Sequence, residues 1–384
     1  MKIPVISLHL LNYKIDMNKF LLISFVTLLG LSFQSCKEEI TLNQEFKETP
    51  VIYGLLNQSE DLQFIKINRG FIGPGNAFEI AQIPDSSYFK NVSAKVEEVI
   101  NNQVVYTWEL RDTILTTKST NGLFFSPNYK AYYFSTSSHP LVEGSNYRLT
   151  VNIDEGKLEV TAETQLVRNF APTTAANSGT SLNSTNSNLR FAKSNGEYIS
   201  TSITCDAGTA AFGNVSLDLQ VYEYRGNNDS TLIHIPWNVA ETTAKSAFIS
   251  AVAQGQSFFE RIKDGLTNDN TITKRNFFGF EVTFTGGAQE LYNYILVNKP
   301  STSLTQSKPS FTNLSVTEGY SVVGIFSARK TTKIFKPFVF QNQTFVRCID
   351  GPTTKSLCTG LIPGLGALFC SQHPGDIMQP YKCD

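Results

Sequence analysis

Two runs of strict apolar–polar alternation, separated by four turn-forming residues, constrain this chain more than any other feature. Tyr147, Leu149, Val151 and Ile153 alternate with Arg148, Thr150 and Asn152, and Leu158, Val160 and Ala162 alternate with Glu159, Thr161 and Glu163. Successive side chains on a strand point to opposite faces, so each run carries one buried and one wet face. Asp154 to Lys157 turns the chain between them. The pattern predicts an antiparallel hairpin laid over a core.

The same pattern recurs. Val51–Leu56 and Leu62–Asn68 read as strands around a turn at Asn57–Asp61. In the next run Val92, Ala94, Val96 and Ile100 share one face, with Ser93, Lys95 and Glu97 opposite. Asn101-Asn102 then offers a two-residue hairpin turn, and Gln103–Trp108 returns. About seven such strands in residues 50–168 predict an immunoglobulin-like sandwich. Residues 169–189, with the tract APTTAANSGTSLNSTNSN, have few apolar positions and no period, as a linker or a long surface loop has.

Residues 190–347 read as a second β domain. Val215, Leu217, Leu219 and Val221 form one face, and Phe278, Phe280, Val282 and Phe284 another, with Gly286-Gly287 as a turn. Tyr292–Asn298, stopped by Lys299-Pro300, Val322–Ala328 and Phe338–Arg347 complete a sheet. Ala244, Ala247, Phe248, Ala251 and Val252 fall at helical spacing, and Phe258, Phe259, Ile262 and Leu266 do so again, predicting one or two short helices. The expected fold is therefore mainly β: two β-sandwich (immunoglobulin-like) domains, the second with short helices, followed by a Cys-rich tail over 348–384.

In that tail Cys348, Cys358, Cys370 and Cys383 are spaced too evenly for a CxxC-type zinc site. In an exported chain they predict two disulfides, with three connectivities open. Cys205, alone, reads as a buried apolar residue. Export itself is read from residues 1–35. Asn18 and Lys19 form a basic start, Phe20–Phe33 an apolar run too short to span a bilayer, and Ser35 a small residue before Cys36. This resembles a bacterial lipoprotein signal, in which the Cys36 thiol is lipidated, although Phe33 and Gln34 depart from the usual box. An ordinary secretory signal is the alternative. Met17 reads as the true start, with a long n-region as the alternative. Residues 36–49 would be the tether. Lys37, Glu38 and Glu39 resemble the surface-export signal of Bacteroidota lipoproteins, which implies the outer face of the outer membrane.

The segments VIYGLLNQSEDLQFIKINRGFIGPGNA from Val51, GQSFFERIKDGL from Gly255, YNYILVNKPSTSLTQSKPSFTNL from Tyr292 and GIFSAR from Gly324 are similar to the Bacteroidota lipoprotein family called domain of unknown function 4249. The resemblance covers roughly residues 36–347. It implies β-sandwich domains, export as a lipoprotein and association with TonB-dependent outer-membrane receptors. It supplies no catalytic residues, and the four-cysteine tail departs from it.

The chemistry legible in the sequence is sparse. With a formal net charge of −1 there is no basic excess to neutralise phosphates, which disfavours nucleic-acid binding. The Gly70–Ala77 loop lacks the GK[ST] of a phosphate loop. His139, His234 and His373 are far apart and lack metal-ligand spacing, so no metal or cofactor is implied. No GxSxG elbow occurs. Glu97-Glu98 and Glu159/Glu163 read as solvated strand carboxylates rather than an acid–base pair. Asp112-Thr113-Ile114 and Asp229-Ser230-Thr231 resemble the O-glycosylation motif of exported Bacteroidota proteins, making Thr113 and Ser230 candidate acceptors. Three roles follow: an accessory binding lipoprotein for a peptide or glycan, with Tyr129, Tyr132, Tyr133 and Phe134 as candidate contacts; a surface hydrolase whose triad only the fold would reveal; and a structural or adhesive surface protein. The first is favoured.

Overall fold

A computed structural model describes residues 48–70, 77–83, 86–116, 128–172, 188–226, 229–243, 247–299, 310–337, 340–341, 344–345, 347–360 and 367–383. The expectations for the signal segment, Cys36, Lys37, Glu38, Glu39, most of the tether, the Gly70–Ala77 loop and the centre of 169–189 fall outside these residues. The protein is mainly β, and among the described residues no helix is long and apolar enough to cross a membrane.

The first half contributes β1 (Thr49–Asn57), β2 (Leu62–Gly70), a short helix α1 (Ala77–Ala81), β3 (Val92–Ile100), β4 (Gln103–Glu109), β5 (Arg111–Leu115), β6 (Tyr129–Ser135), β7 (Asn146–Ile153) and β8 (Leu158–Gln165). The second contributes β9 (Ala171–Pro172), β10 (Thr201–Asp206), β11 (Phe212–Arg225), β12 (Asp229–Thr243), β13 (Phe248–Ala253), α2 (Gly255–Gly265), β14 (Lys274–Gly287), α3 (Gln289–Asn298), β15 (Ser315–Val316), β16 (Val323–Pro337), β17 (Phe340–Gln341), β18 (Thr344–Phe345) and α4 (Gly351–Thr359).

The expected Tyr147–Ala162 hairpin forms as β7–β8, with Tyr147, Leu149, Val151, Ile153, Leu158 and Val160 fully buried. Asn101 and Asn102 take positive φ, the geometry a two-residue hairpin turn requires. Helix α2 buries Phe258, Phe259 and Ile262.

The two halves are not self-contained. One eight-stranded sheet runs β12-β11-β14-β16-β1-β2-β6-β5, so strands from both sides of residues 169–189 share it. The seam is parallel, with Ile52 opposite Gly324 and Asn57 opposite Arg329. Gly324 has φ 121°, and a Cβ there would fall 1.8 Å from the Ile52 carbonyl oxygen, so the seam requires glycine. Two segments quoted for the family resemblance, VIYGLL and GIFSAR, are thus partner strands. A five-stranded sheet, β15-β8-β7-β3-β4, again takes β15 from the second half. Residues Phe46–Asp384 form one compact unit around a continuous core. Parallel pairing across some 270 residues explains the departure from two separate sandwiches: alternation marks strands without naming their partners.

Several local expectations are corrected. Residues 248–253 form strand β13 rather than helix, with Ile249, Ala251 and Ala253 buried alternately against β10. Both periods fit this short run, and pairing with β10 selects the strand. Conversely, Tyr292–Asn298 lies in helix α3, which follows β14 directly. Tyr294 donates its hydroxyl to the Tyr53 hydroxyl at 3.0 Å, and the Tyr292 ring stacks on Phe212. Gly286-Gly287 ends β14 rather than turning it. A bulge between Glu98 and Val99 turns Ile100 outward and Val99 inward. A second register shift, opposite Gln220/Val221, places Phe277 rather than Phe278 in the core.

Candidate binding cleft

At Leu110 the chain passes from one sheet to the other. Strand β4 ends in the five-stranded sheet and β5 begins at the edge of the eight-stranded one, so a single residue makes the corner. Leu110 donates its backbone N–H to Ala94 of β3 at 2.9 Å and packs against the core. Next to this corner opens a cleft of about 700 Å³. Leu110 lines it from the corner, Arg111 and Asp112 from β5, Lys130 and Tyr132 from β6, and Lys90 to Ser93, Asn152 and Glu155 from the ends of β3 and β7. Asp154 N–H bonds Asn91 O at 2.9 Å and holds the β7–β8 turn against the start of β3.

The floor is ordered. Asp112 faces Tyr132 across the β5–β6 ladder, and Lys130 donates its backbone N–H to the Tyr88 hydroxyl at 3.1 Å. The Lys130 ammonium lies 3.1 Å from Asp112 Oδ2 and 5.2 Å from the centre of the Tyr132 ring. Partial burial opposes its charge, but the Asp112 bond and the Tyr132 contact outweigh that and hold the ammonium above its ordinary value. Burial in turn pushes the Tyr132 phenol up, so it stays a neutral hydrogen-bonding floor. The rim differs. Lys90, Arg111 and Glu155 are exposed, and among the described residues none of the three has an ion-pair partner.

Of the four aromatics singled out in sequence, Tyr132 lines this cleft, while Phe134 is buried against Trp108. Tyr133 packs beside the exposed Phe64 on the outer sheet face, and Tyr129 is half-buried. Thr113 and Ser230 sit on β5 and β12, the two edge strands of the large sheet; Ser230 is exposed and Thr113 partly so.

The histidines do not assemble into one site. His139 Nε2 lies 2.7 Å from Glu98 Oε2, and Ser145 donates to Glu98 Oε1 at 2.6 Å. Here the acid stands between serine and imidazole, whereas nucleophilic activation needs the imidazole next to the hydroxyl. His139 also stacks on Tyr106 at 4.0 Å. Glu98 corrects the expectation of a solvated carboxylate: it is 2% exposed, because it shares the inward face of Ala94 and Val96, and the bulge comes only after it. Glu97 is buried as well and pairs with Lys95 at 2.6 Å. His234 Nδ1 contacts Asp218 at 2.6 Å, and His373 Nδ1 accepts from Gly375 N–H at 3.0 Å. Among the described residues no group of three His, Cys, Asp or Glu side chains could hold a metal.

The tail carries one disulfide, Cys370–Cys383, and leaves Cys348 and Cys358 as thiols. The second expected bond is not formed: Cys348 precedes α4 and Cys358 lies on its last turn. Asp350 caps that helix by accepting from Thr353 N–H at 2.9 Å. Burial pushes the Cys358 thiol up to about 12, so it is a protonated, poor nucleophile at neutral pH. Cys205 is buried as expected, its thiol likewise pushed up to about 12.

Neither a protein-family model nor a curated protein matches this chain.

Proposed function

We propose that this chain is an exported lipoprotein, anchored through Cys36 on the outer face of the outer membrane, that acts as a binding module for a TonB-dependent uptake system. The leader and the Lys37-Glu38-Glu39 run support the location. The family resemblance supports the receptor partner, and the packing of Trp108 of the five-stranded sheet on Phe134 of the larger one supports the immunoglobulin-like reading of the first half. One observation carries the binding role: a cleft of about 700 Å³ whose floor is ordered by Lys130, Asp112 and Tyr132 while its rim charges have no ion-pair partner among the described residues. Ligand sites are concave, largely pre-formed and carry a few polar groups held ready.

Recovery of the native lipoprotein from solubilised outer membranes tests the partner. A TonB-dependent receptor should co-purify, and its absence across detergents would remove the receptor from the reading. Replacing Lys37, Glu38 and Glu39 by alanine should abolish cleavage by protease added to whole cells. Unchanged cleavage would refute surface export by that signal.

A further inference from the structure

The cleft holds unpartnered charges of both signs, and that combination narrows its ligand. Lys130 is satisfied by Asp112, which leaves two cations, Lys90 and Arg111, and one anion, Glu155, without ion pairs among the described residues. Exposed charges around a concave site cost little when solvated and gain most when a ligand supplies the opposite sign. Neutral amide and hydroxyl groups from Asn91, Ser93 and Asn152 lie among them. An acidic oligosaccharide would match Arg111 and Lys90 but would meet repulsion at Glu155 and leave it unpaired. A peptide brings an ammonium for Glu155, carboxylates for Arg111 and Lys90, and backbone amides for the asparagines. Its site would also lie at β5, a strand paired on one side only, where an extended segment can be accommodated.

We propose that the cleft binds short acidic peptides, with Arg111 and Lys90 taking ligand carboxylates and Glu155 taking the free amino terminus. Arg111 supplies the planar two-pronged contact that suits a carboxylate, and Lys90 adds a point charge beside it. The inference rests on the reading of this cleft as the ligand site, but not on the identity of any membrane receptor.

The test is calorimetry on the intact lipoprotein in detergent. Probes are the pentapeptide AEAEA with free termini, its glutamine counterpart AQAQA, N-acetylated AEAEA and tetragalacturonate. AEAEA should bind about tenfold or more tighter than AQAQA, the order expected for one charge-assisted contact. Arg111→Gln should remove most of that difference. Glu155→Gln should weaken AEAEA about threefold to tenfold while leaving acetylated AEAEA unchanged, because the acetylated probe carries no ammonium. Equal binding of AEAEA and AQAQA overturns the inference, as does an absence of binding by any peptide. Tighter binding of tetragalacturonate, strengthened by Glu155→Gln, overturns the peptide assignment in favour of an acidic glycan. Receptor co-purification is measured separately, so failure here and failure there are distinguishable. Arg111 and Glu155 are exposed, so unchanged thermal melts of the variants verify that folding is intact.

Discussion

The cleft at the β4–β5 corner and the seam where the tail meets β14 treat charge in opposite ways. At the cleft, Lys90, Arg111 and Glu155 stand exposed and without ion pairs among the described residues. At the tail, charge is buried and paired. Arg275 is 7% exposed and Glu223 fully buried, 2.9 Å apart. Arg275 also donates to the Thr267 carbonyl at 2.7 Å and the Ala367 carbonyl at 3.0 Å, and Glu223 accepts from Thr267 N–H. One guanidinium thereby ties β14, the α2 exit and the tail together. Asp376 repeats the device, accepting from Arg347 at 2.7 Å and from the Ser371 hydroxyl at 2.7 Å. Paired buried charge builds structure, because removing a partner strands the other in low dielectric. Unsaturated exposed charge builds little and stays available to a ligand.

The contrast is broken most directly at Glu223. Glu223→Ala should cost roughly 3–5 kcal/mol in chemical denaturation, since Arg275 then remains buried and uncompensated. A loss under about 1 kcal/mol would mean that water reaches the pair and the seam is not structural in this sense. Next, replacing both Cys370 and Cys383 by serine should cost about 2–3 kcal/mol, the scale for a loop of this length. The tail should become the first site of limited proteolysis, and equal protease resistance with and without the bond would contradict its role as a staple.

Acid should act at the same seam. Burial favours the neutral form of Asp376, but its bonds to Arg347 and Ser371 prevail and hold the carboxyl below its usual range. A depressed carboxylate pKa contributes stability that is complete above about pH 4 and is lost as pH falls through the folded value. The tail should therefore loosen below about pH 4 in hydrogen exchange, and Asp376→Asn should flatten that dependence. The smallest effect is expected at the cleft: Arg111→Gln should change stability by no more than about 0.5 kcal/mol, since among the described residues the exposed side chain makes no hydrogen bond or ion pair. A larger loss in thermal melts would show that Arg111 serves the fold and would erase the difference between the two regions.

Little of the cleft was legible beforehand. Tyr132 was singled out as an aromatic contact, and Asp112 only as part of a glycosylation motif. Lys90, Arg111, Lys130 and Glu155 lie up to 65 residues apart and share no spacing that a linear reading could detect. What joins them is the corner at Leu110, and a corner is invisible where two strands follow one another with one residue between. Val99 and Ile100 show the same limit: strict alternation is a poor guide past a bulge, which no residue of the Val92–Ile100 run announces.

Alternation and turn chemistry by themselves determined that this chain is mainly β. They also located β1–β4, β7, β8 and the cores of β11 and β14, and predicted the positive-φ turn at Asn101-Asn102, because each depends on side chains within a few residues of one another. The Phe258, Phe259 and Ile262 helix belongs with them. Tertiary structure alone decided that VIYGLL pairs in parallel with GIFSAR, that Phe248–Ala253 is strand and Gln289–Asn298 helix, and that Cys370 bonds Cys383 while Cys348 and Cys358 stay thiols. The physical reason is common to all of these. Period and propensity specify what a segment can become, whereas partner strands, a covering helix or a bonded thiol are chosen by groups far away in the chain.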